Sequence, residues 1–376
     1  MPSRPRILLI GASGYGDYYL DELTGHDAGA DLVGVVDINP DVEANGVPVY
    51  QSLDDFYANH AADLAIIAAP MHFHTPMTLT CLKNGSNVLC EKPLCQSVEE
   101  VALLQKAATE AGRFLAVGYQ MDYRRDVLAL KEDILSGRFG APKRLSILHC
   151  SRRGAKYYSR NNWAGRISVN GREVLDSPFN NSNAHNFQMM TFLLGDSLPS
   201  AMDIKSVEAE LYHGNPTTEN FDILAARFHT MGGYPLYYYT AHTLSQYEQG
   251  PLGVFEFEKG TVTFDSREPS FRAKMADGSA FDYIGIDPGH THQKLYDAIA
   301  CTCSGGAPVC SAAADLPHIR AVRMLADLPI LPVREELRRH MDVDGDDILY
   351  IEGLEDIFKK CAQSWALPSE IGLGLS

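Results

Sequence analysis

The chain has 376 residues, 45% of them apolar and 21% charged, and a formal net charge of −16. The length suits two domains and the composition is that of a folded globular protein. The acidic balance argues against nucleic acid or an anionic membrane surface as partner, since both need clustered Lys and Arg.

No apolar run approaches the roughly 20 residues that span a bilayer. The opening MPSRPRILLIGASG puts basic residues ahead of an apolar run, but ILLI is too short for a secretory segment and leads straight into glycines. It reads as the first strand of a mature cytoplasmic protein. The eight cysteines are scattered without zinc-site spacing, so reduced, mostly buried thiols and no metal are expected.

In chain order, residues 6–10 read as a strand. They run into Gly11-Ala12-Ser13-Gly14-Tyr15-Gly16 and then a helix through Leu23. This has the form G-x-G-x-x-G with Ser13 in place of the middle glycine. Such a turn lets the backbone approach a pyrophosphate at a helix N-terminus. Serine is small enough to keep that approach, and its hydroxyl can donate to phosphate. A glycine-rich turn without a ligand is the alternative. Residues 31–37, DLVGVVD, form a buried strand ending in Asp37, 26 positions after Gly11. An acid there accepts hydrogen bonds from ribose hydroxyls and repels a 2′-phosphate, which favours NAD over NADP. The plainer alternative for Asp37 is a turn aspartate, since Asp-Ile-Asn-Pro is good turn chemistry. A short strand and a helix capped by Ser52, with Asp55 three residues on, come next.

The stretch 63–93 reads as strand, loop, helix, strand, and then Glu91-Lys92-Pro93. DLAIIAA is apolar throughout, as a strand buried on both faces should be, and Gly85 stops the helix. Ligands bind outside the carboxyl ends of parallel strands, which places Pro70 to His74 with Glu91 and Lys92 on the ligand side. Ser97 and Glu100 form a capping box for a helix reaching Gly112, and residues 113–119 are another buried strand. The alternation predicts a doubly wound domain over residues 1–122.

Pro70-x-x-x-His74, Glu91-Lys92-Pro93 and Gly118-Tyr119-Gln120, in this order around those elements, resemble the Gfo/Idh/MocA family of NAD(P)-dependent oxidoreductases. The resemblance runs over roughly residues 5–330 and weakens beyond about 200. It implies NAD as cofactor, contacted by Gly11, Ser13, Gly14, Tyr15, Gly16, Asp37, Pro70, His74, Glu91, Lys92 and Gln120. It also implies hydride transfer to or from a CH–OH carbon of a sugar, polyol or sugar derivative. Lys92 would then sit beside the nicotinamide and the reacting oxygen, with Glu91 orienting Lys92 or the nicotinamide ribose.

Residues 123–376 read differently. A helix over 126–136 is followed by KRLSILHCS and further strand-like runs with little helix between them. This predicts an α+β domain with a large, mainly antiparallel sheet, beside an α/β Rossmann domain. By resemblance, one face of that sheet carries helices and the other serves oligomerisation, so a homo-oligomer (dimer or tetramer) is expected. Tyr237-Tyr238-Tyr239 on this sheet are either interface or core.

Residues 184–194 have helical spacing. In the resembling family a motif Asp-x-Gly-x-His-x-x-Asp opens this helix. His185 fits the histidine, but Asn181, Asn183 and Gln188 stand at the other positions. A carboxylate raises and orients such a histidine. His185 is therefore a weaker base here unless Asp176 replaces the missing charge; a turn at Asp176 is the plain alternative. Upstream, Tyr157, Tyr158, Arg160, Asn161, Asn162 and Trp163 form the polar-aromatic mixture that sugar sites use, or an ordinary anchored loop. The proposed catalytic residues are Lys92 and His185. The substrate-binding set is Lys92, Tyr158, Arg160, Trp163, Asp176, Asn181 and His185. An NAD-dependent glycosidase of the same family and a non-catalytic dinucleotide sensor are the alternatives. In the tail, MDVDGDD superficially suggests a calcium loop, but Gly345 falls where a ligand belongs. A solvated acidic turn is expected, and residues 333–376 carry no assigned function.

Overall fold

The computed structural model describes residues 4–265, 270–284 and 290–376. The chain divides into two compact units: Met1–Arg124 with Asp287–Leu316, and Arg125–Ile286 with Pro317–Ser376.

In the first unit the elements are β1 (Arg6–Ile10), α1 (Tyr15–Gly25), β2 (Asp31–Val36), β3 (Val49–Tyr50), α2 (Leu53–Tyr57), β4 (Leu64–Ile67), α3 (His74–Lys83), β5 (Asn87–Cys90), α4 (Val98–Ala111) and β6 (Leu115–Val117). The six strands form one parallel sheet in the order β3-β2-β1-β4-β5-β6. Its strand order reverses between β1 and β4, the switch point where doubly wound sheets open a crevice. Ile7 to Ile10 and Leu64 to Ile67 are buried, as continuous apolar runs between two helix layers should be. Helix ends follow their sequence signals. Ser52 accepts from the Asp55 N–H and Ser97 from the Glu100 N–H, and Gly112 closes α4 in the left-handed region. The Glu100 carboxylate reaches back to Gln96 N, one residue before the cap.

The second unit holds α5 (Arg125–Leu135), β7 (Pro142–Ser151), α6 (Ala155–Ser159), the paired β8 (Ser168–Val169) and β9 (Arg172–Glu173), and α7 (Ala184–Leu193). Seven strands follow: β10 (Ile204–His213), β11 (Ile223–Thr230), β12 (Pro235–Ala241), β13 (Glu248–Phe257), β14 (Gly260–Asp265), β15 (Ser270–Met275) and β16 (Ala280–Ile284). Later in the chain come α8 (Gln293–Ser304), which belongs to the first unit, α9 (Ala312–Ala326), which crosses from the first unit to the second, and then β17 (Ile330–Pro332), β18 (Arg338–Val343), β19 (Asp346–Ile351) and α10 (Leu354–Ser364) of the second. The large sheet runs β16-β15-β14-β13-β7-β12-β11-β10-β17. It is mainly antiparallel, with parallel pairs at β12–β7 and β10–β17.

The expectation that everything beyond residue 122 forms one domain fails for Asp287–Leu316, which belongs to the first unit. The reason is packing. Leu295, Ala298 and Ile299 of α8 enter the same apolar cluster as Ile7, Leu9 and Leu89. At the edge of the parallel sheet, Val117 N donates to Cys310 O at 2.9 Å and Ala116 bridges to Ser311.

The three tyrosines of β12 are core. Tyr237 and Tyr239 are buried in a cluster with Val333, Leu349, Phe358 and Leu367. Tyr238 points to the opposite face, against Phe179 and Phe187. The tail thus covers the face of β7, β11 and β12 that a partner subunit was expected to cover. The acidic stretch is a β-hairpin turn: Asp344 and Gly345, with φ of 53° and 71°, join β18 to β19. Two consecutive positive φ values are what a two-residue type I′ turn needs, and Asp-Gly supplies them. Among the described residues, no group of three or more His, Cys, Asp or Glu is placed to hold a metal ion, and no helix is long and apolar enough to cross a membrane. All eight cysteines are free thiols, and all but Cys303 are buried.

Candidate active site

In the first unit, the candidate cofactor residues lie at the carboxyl ends of β1, β2, β4 and β5. Gly11 sits at φ +81°, and a Cβ there would stand 2.9 Å from Ala68 O. A Cβ on Gly16 would stand 1.9 Å from Gly11 O. The outer glycines are therefore demanded by the turn and by the approach of α1 to it. Ser13 and Gly14 are exposed, and no side chain caps α1. Gly16 N donates to Ser13 O at 3.3 Å, and the dipole of α1 points its positive end at the turn, where it favours an anion. Asp37 is buried; its Oδ2 accepts from Ala12 N at 2.9 Å and its Oδ1 from Asn39 N at 2.9 Å. It is a turn aspartate that also braces the glycine turn. A carboxylate has about four acceptor sites, so capacity for hydroxyl donors remains.

Glu91 follows β5 and is buried. Its Oε1 accepts from the Tyr19 hydroxyl at 2.6 Å and from Lys294 Nζ at 2.5 Å. Lys294, on α8, also donates to the Tyr15 hydroxyl at 3.0 Å and to Gly118 O at 3.1 Å. Burial works to lower the Lys294 pKa, but the Glu91 charge and Tyr15 outweigh it and raise it. The Glu91 side chain is thus engaged mainly by Lys294, and meets Lys92 through the Lys92 N–H, 3.4 Å from Oε2. The sequence reading missed Lys294. Its signal was a lysine on the buried stripe of an amphipathic helix, with Ala298 and Cys301 at i+4 and i+7. The Tyr15 hydroxyl donates to Gln120 Oε1 at 3.2 Å. Lys92 is half-buried at the end of β5, and Pro70 is exposed after β4.

His74 differs from its expected role as a cofactor contact. It is buried, with Nδ1 2.7 Å from Pro93 O and Nε2 2.8 Å from Ala69 O. Burial lowers its pKa, and the neutral ring, with one N–H, can donate to only one of these carbonyls at a time. It ties the loop after β4 to the loop after β5.

In the second unit, the residues expected to bind substrate lie around the start of α7. His185, the second residue of that helix, is half-buried. Asn181 Nδ2 donates to Asp176 Oδ1 at 2.8 Å, and buried Asp176 accepts from Gly165 N through Oδ2 at 2.6 Å. The carboxylate absent from position 181 is therefore supplied to that residue from five positions upstream. Asn183 is structural: buried, it donates to Thr240 Oγ1 at 2.8 Å and His149 O at 3.1 Å, fixing α7 to the sheet. Gln188 is fully buried.

Tyr158 is committed inward. Its hydroxyl lies 2.8 Å from His242 Nδ1, and His242 Nε2 lies 2.6 Å from Ser182 Oγ. Burial, then the charges of Arg153 and Arg160, hold the His242 pKa well below the usual histidine value. A neutral ring thus links the two hydroxyls. Neither His242 nor Ser182 was singled out from sequence, because a lone histidine after an apolar strand carries no pattern. Arg160 is exposed; its guanidinium lies 3.4 Å from the Tyr157 ring centroid and 5.3 Å from that of half-buried Trp163. Arg160 and Trp163 are the outward members of this cluster. Lys92 and the cofactor-facing residues belong to the first unit, and the set from Tyr158 to His185 to the second.

Residues 5–119 match the family described as an oxidoreductase family with an NAD-binding Rossmann fold, GFO_IDH_MocA. Inositol 2-dehydrogenase of Rubrobacter xylanophilus is 34% identical over 140 residues, which are 36% of this chain and 40% of the relative. Inositol 2-dehydrogenase of Klebsiella pneumoniae is 31% identical over 262 residues, 68% of this chain and 64% of the relative. The chain spans about half the length of the curated relatives it matches. The WlbA dehydrogenase of Bordetella pertussis, solved with NADH and UDP-GlcNAcA, shares the fold at a TM-score of 0.71 and 22% identity, over 87% of this chain and 100% of that one. Levoglucosan dehydrogenase, solved with NADH, does so at 0.72 and 15%, over 86% and 96%. On this match, residues 5–119 are an NAD-binding Rossmann domain of the Gfo/Idh/MocA oxidoreductase type, and the chain shares its fold with these solved dehydrogenases.

Proposed function

We propose that the protein is an NAD-dependent dehydrogenase or reductase that moves a hydride between the cofactor and a hydroxyl- or carbonyl-bearing carbon of a sugar, polyol or sugar derivative. One observation carries this reading: the glycine turn, Asp37 and Glu91-Lys92 follow β1, β2 and β5 of one parallel sheet, on both sides of its switch point between β1 and β4. The uncapped start of α1 and the close-packed Gly11–Gly16 turn fit a pyrophosphate. The names of the relatives, inositol and levoglucosan dehydrogenases among them, support the substrate class.

When bound, NAD supplies the hydride acceptor or donor. The chain's own groups do the rest. Asp37 accepts from ribose hydroxyls and disfavours a 2′-phosphate. Lys92 Nζ takes the hydroxyl proton in oxidation and returns it in reduction. With Glu91 Oε1 occupied by Lys294 and Tyr19, that carboxylate serves to position the strand end rather than to act as a second base. His185 binds a substrate hydroxyl or shares its proton. Arg160 and Trp163 offer the guanidinium and aromatic surface that sugars use.

The free thiols fit a reducing compartment, the cytoplasm. Self-association as a dimer or tetramer belongs to the same proposal. With the tail covering β7, β11 and β12, a surface that could serve it is the row of exposed Val254, Thr263 and Arg272 on β13–β15.

The test is a panel of inositols, sugars and sugar acids offered with NAD and NADP, read by nicotinamide absorbance. Turnover with NAD, stoichiometric with product, is expected. Tight NAD binding without turnover of any member in either direction would overturn the reading.

A further inference from the structure

The tail 333–376, which has no counterpart in the sequence motifs, reaches the segment that carries Tyr158 and Arg160. Helix α6 is only five residues long, too short to hold itself together in water. Its N-cap is Gly154, which has no side chain to offer. The cap comes instead from the β18–β19 hairpin: Asp346 Oδ1 accepts from Lys156 N at 2.8 Å. The contact is reciprocal, because Lys156 Nζ donates to Asp344 O at 3.0 Å. It is also close. A Cβ on Gly154 would stand 2.3 Å from Asp346 Oδ2 and 2.4 Å from Ile348 Cδ1.

The hairpin is itself fixed. Gly345 N donates to Asp342 Oδ1 across the turn at 3.1 Å, and Ile351 N donates to Thr243 O at 3.1 Å. Ile348, Leu349 and Ile351 are buried. Next in the chain, Glu355 Oε1 accepts from Ser245 N at 2.8 Å and Ser245 Oγ at 2.7 Å. That holds the segment just after His242, and His242 holds the Tyr158 hydroxyl. Tyr158 is therefore fixed from two directions by one C-terminal structure, at its helix start through Asp346 and at its hydroxyl through His242.

We propose that the β18–β19 hairpin is the positioning element of the substrate-binding segment 155–163, with Asp346 as its positioning residue. The proposal rests on the reading of Arg160 and Trp163 as sugar contacts. Asp346 touches no substrate. It sets substrate affinity by ordering α6, and leaves the cofactor side and the chemical step alone.

The test uses the full-length chain as wild type, Asp346→Ala, Asp346→Asn and Arg160→Ala. In Asp346→Ala, amide hydrogen exchange over residues 155–160 should quicken about five-fold, the effect of losing one helix cap, while peptides of the parallel sheet stay unchanged. This arm needs no substrate, and unaltered exchange at α6 overturns the proposal. With a substrate from the panel, Asp346→Ala should raise its KM several-fold, with kcat within about two-fold and the KM for NAD unchanged. Asp346→Asn keeps an acceptor oxygen for Lys156 N and should recover most of both effects. A raised KM in Arg160→Ala with none in Asp346→Ala overturns the proposal. Faster exchange with no KM change in either variant shows instead that segment 155–163 does not bind substrate, and removes the proposal together with that reading.

Discussion

Lys294 offers the sharpest test of how the cofactor domain is built. Its side chain is 1% exposed and that of its partner Glu91 9%. All three of its N–H donors are used, on Glu91 Oε1, the Tyr15 hydroxyl and Gly118 O. Lys294→Met removes the cation and leaves a buried carboxylate with only the Tyr19 hydroxyl on Oε1. Breaking a buried pair in this way costs about 3–5 kcal/mol. In a unit of about 150 residues this lowers the melting temperature by roughly 6–20 °C. Denaturant and thermal melts of Lys294→Met, Glu91→Gln and the double variant form the assay. The double variant should be more stable than the sum of the singles predicts, by at least about 1 kcal/mol, because it leaves no unpaired charge. The pH dependence has a definite sign. The folded Lys294 pKa is raised, so its contribution is complete below the ordinary lysine value of about 10.4 and is lost only as pH climbs through the higher folded value. A Lys294→Met chain within about 1 kcal/mol of wild type, or one with no coupling to Glu91, refutes the argument.

Lys92→Ala should cut turnover by at least about 100-fold, the usual worth of a positioned acid–base group, with NAD affinity within a few-fold; near-wild-type turnover removes Lys92 from the chemistry. Asp37→Ala should weaken NAD binding by roughly 10–100-fold in calorimetry, the loss of a charged hydrogen bond, and unchanged affinity would take Asp37 out of the cofactor site. Burial pushes the Asp315 carboxyl, which accepts from Leu94 N at 3.2 Å, up to about 7. A raised acid pKa means the folded chain binds that proton more tightly. The stabilisation is then full below about pH 4 and is lost as pH rises through the folded value. Asp315→Asn should therefore gain on wild type by a few kcal/mol between about pH 5 and pH 8, and a difference that does not grow with pH speaks against it.

The first domain was legible because its signals are local. The turn around Gly11, the strand ending in Asp37 and the Ser97–Glu100 cap each sit within a few residues of what they determine, and the strands are apolar on both faces. What escaped was non-local. Lys294 lies 203 positions from Glu91, and nothing in the order of the chain announces that α8 returns to the first sheet. His74 matched a motif position, but a motif does not say whether a ring faces outward or ties two loops together. The Asp344-Gly345 turn was readable. Asp-Gly between alternating strand residues is a hairpin signal, and the surrounding acids drew attention to charge instead. The cover that residues 333–376 give to β12 could not be foreseen, since an amphipathic α10 does not name the surface it will bury against.

The return of Asp287–Leu316 to the first unit also sets an order for synthesis. When residue 124 leaves the ribosome, all six parallel strands exist, but β6 still has a bare edge at Ala116 and Val117, and Glu91 has no cation. The partners arrive about 170–190 residues later, which is roughly 10–40 s of translation. Throughout that interval the nascent sheet presents an unpaired edge strand, the feature most prone to pairing with another chain. A cofactor-binding fragment cut after residue 124 would hold that state permanently. A fragment that folds as the native unit does must carry residues 287–316 as well, joined to the end of β6 by a linker.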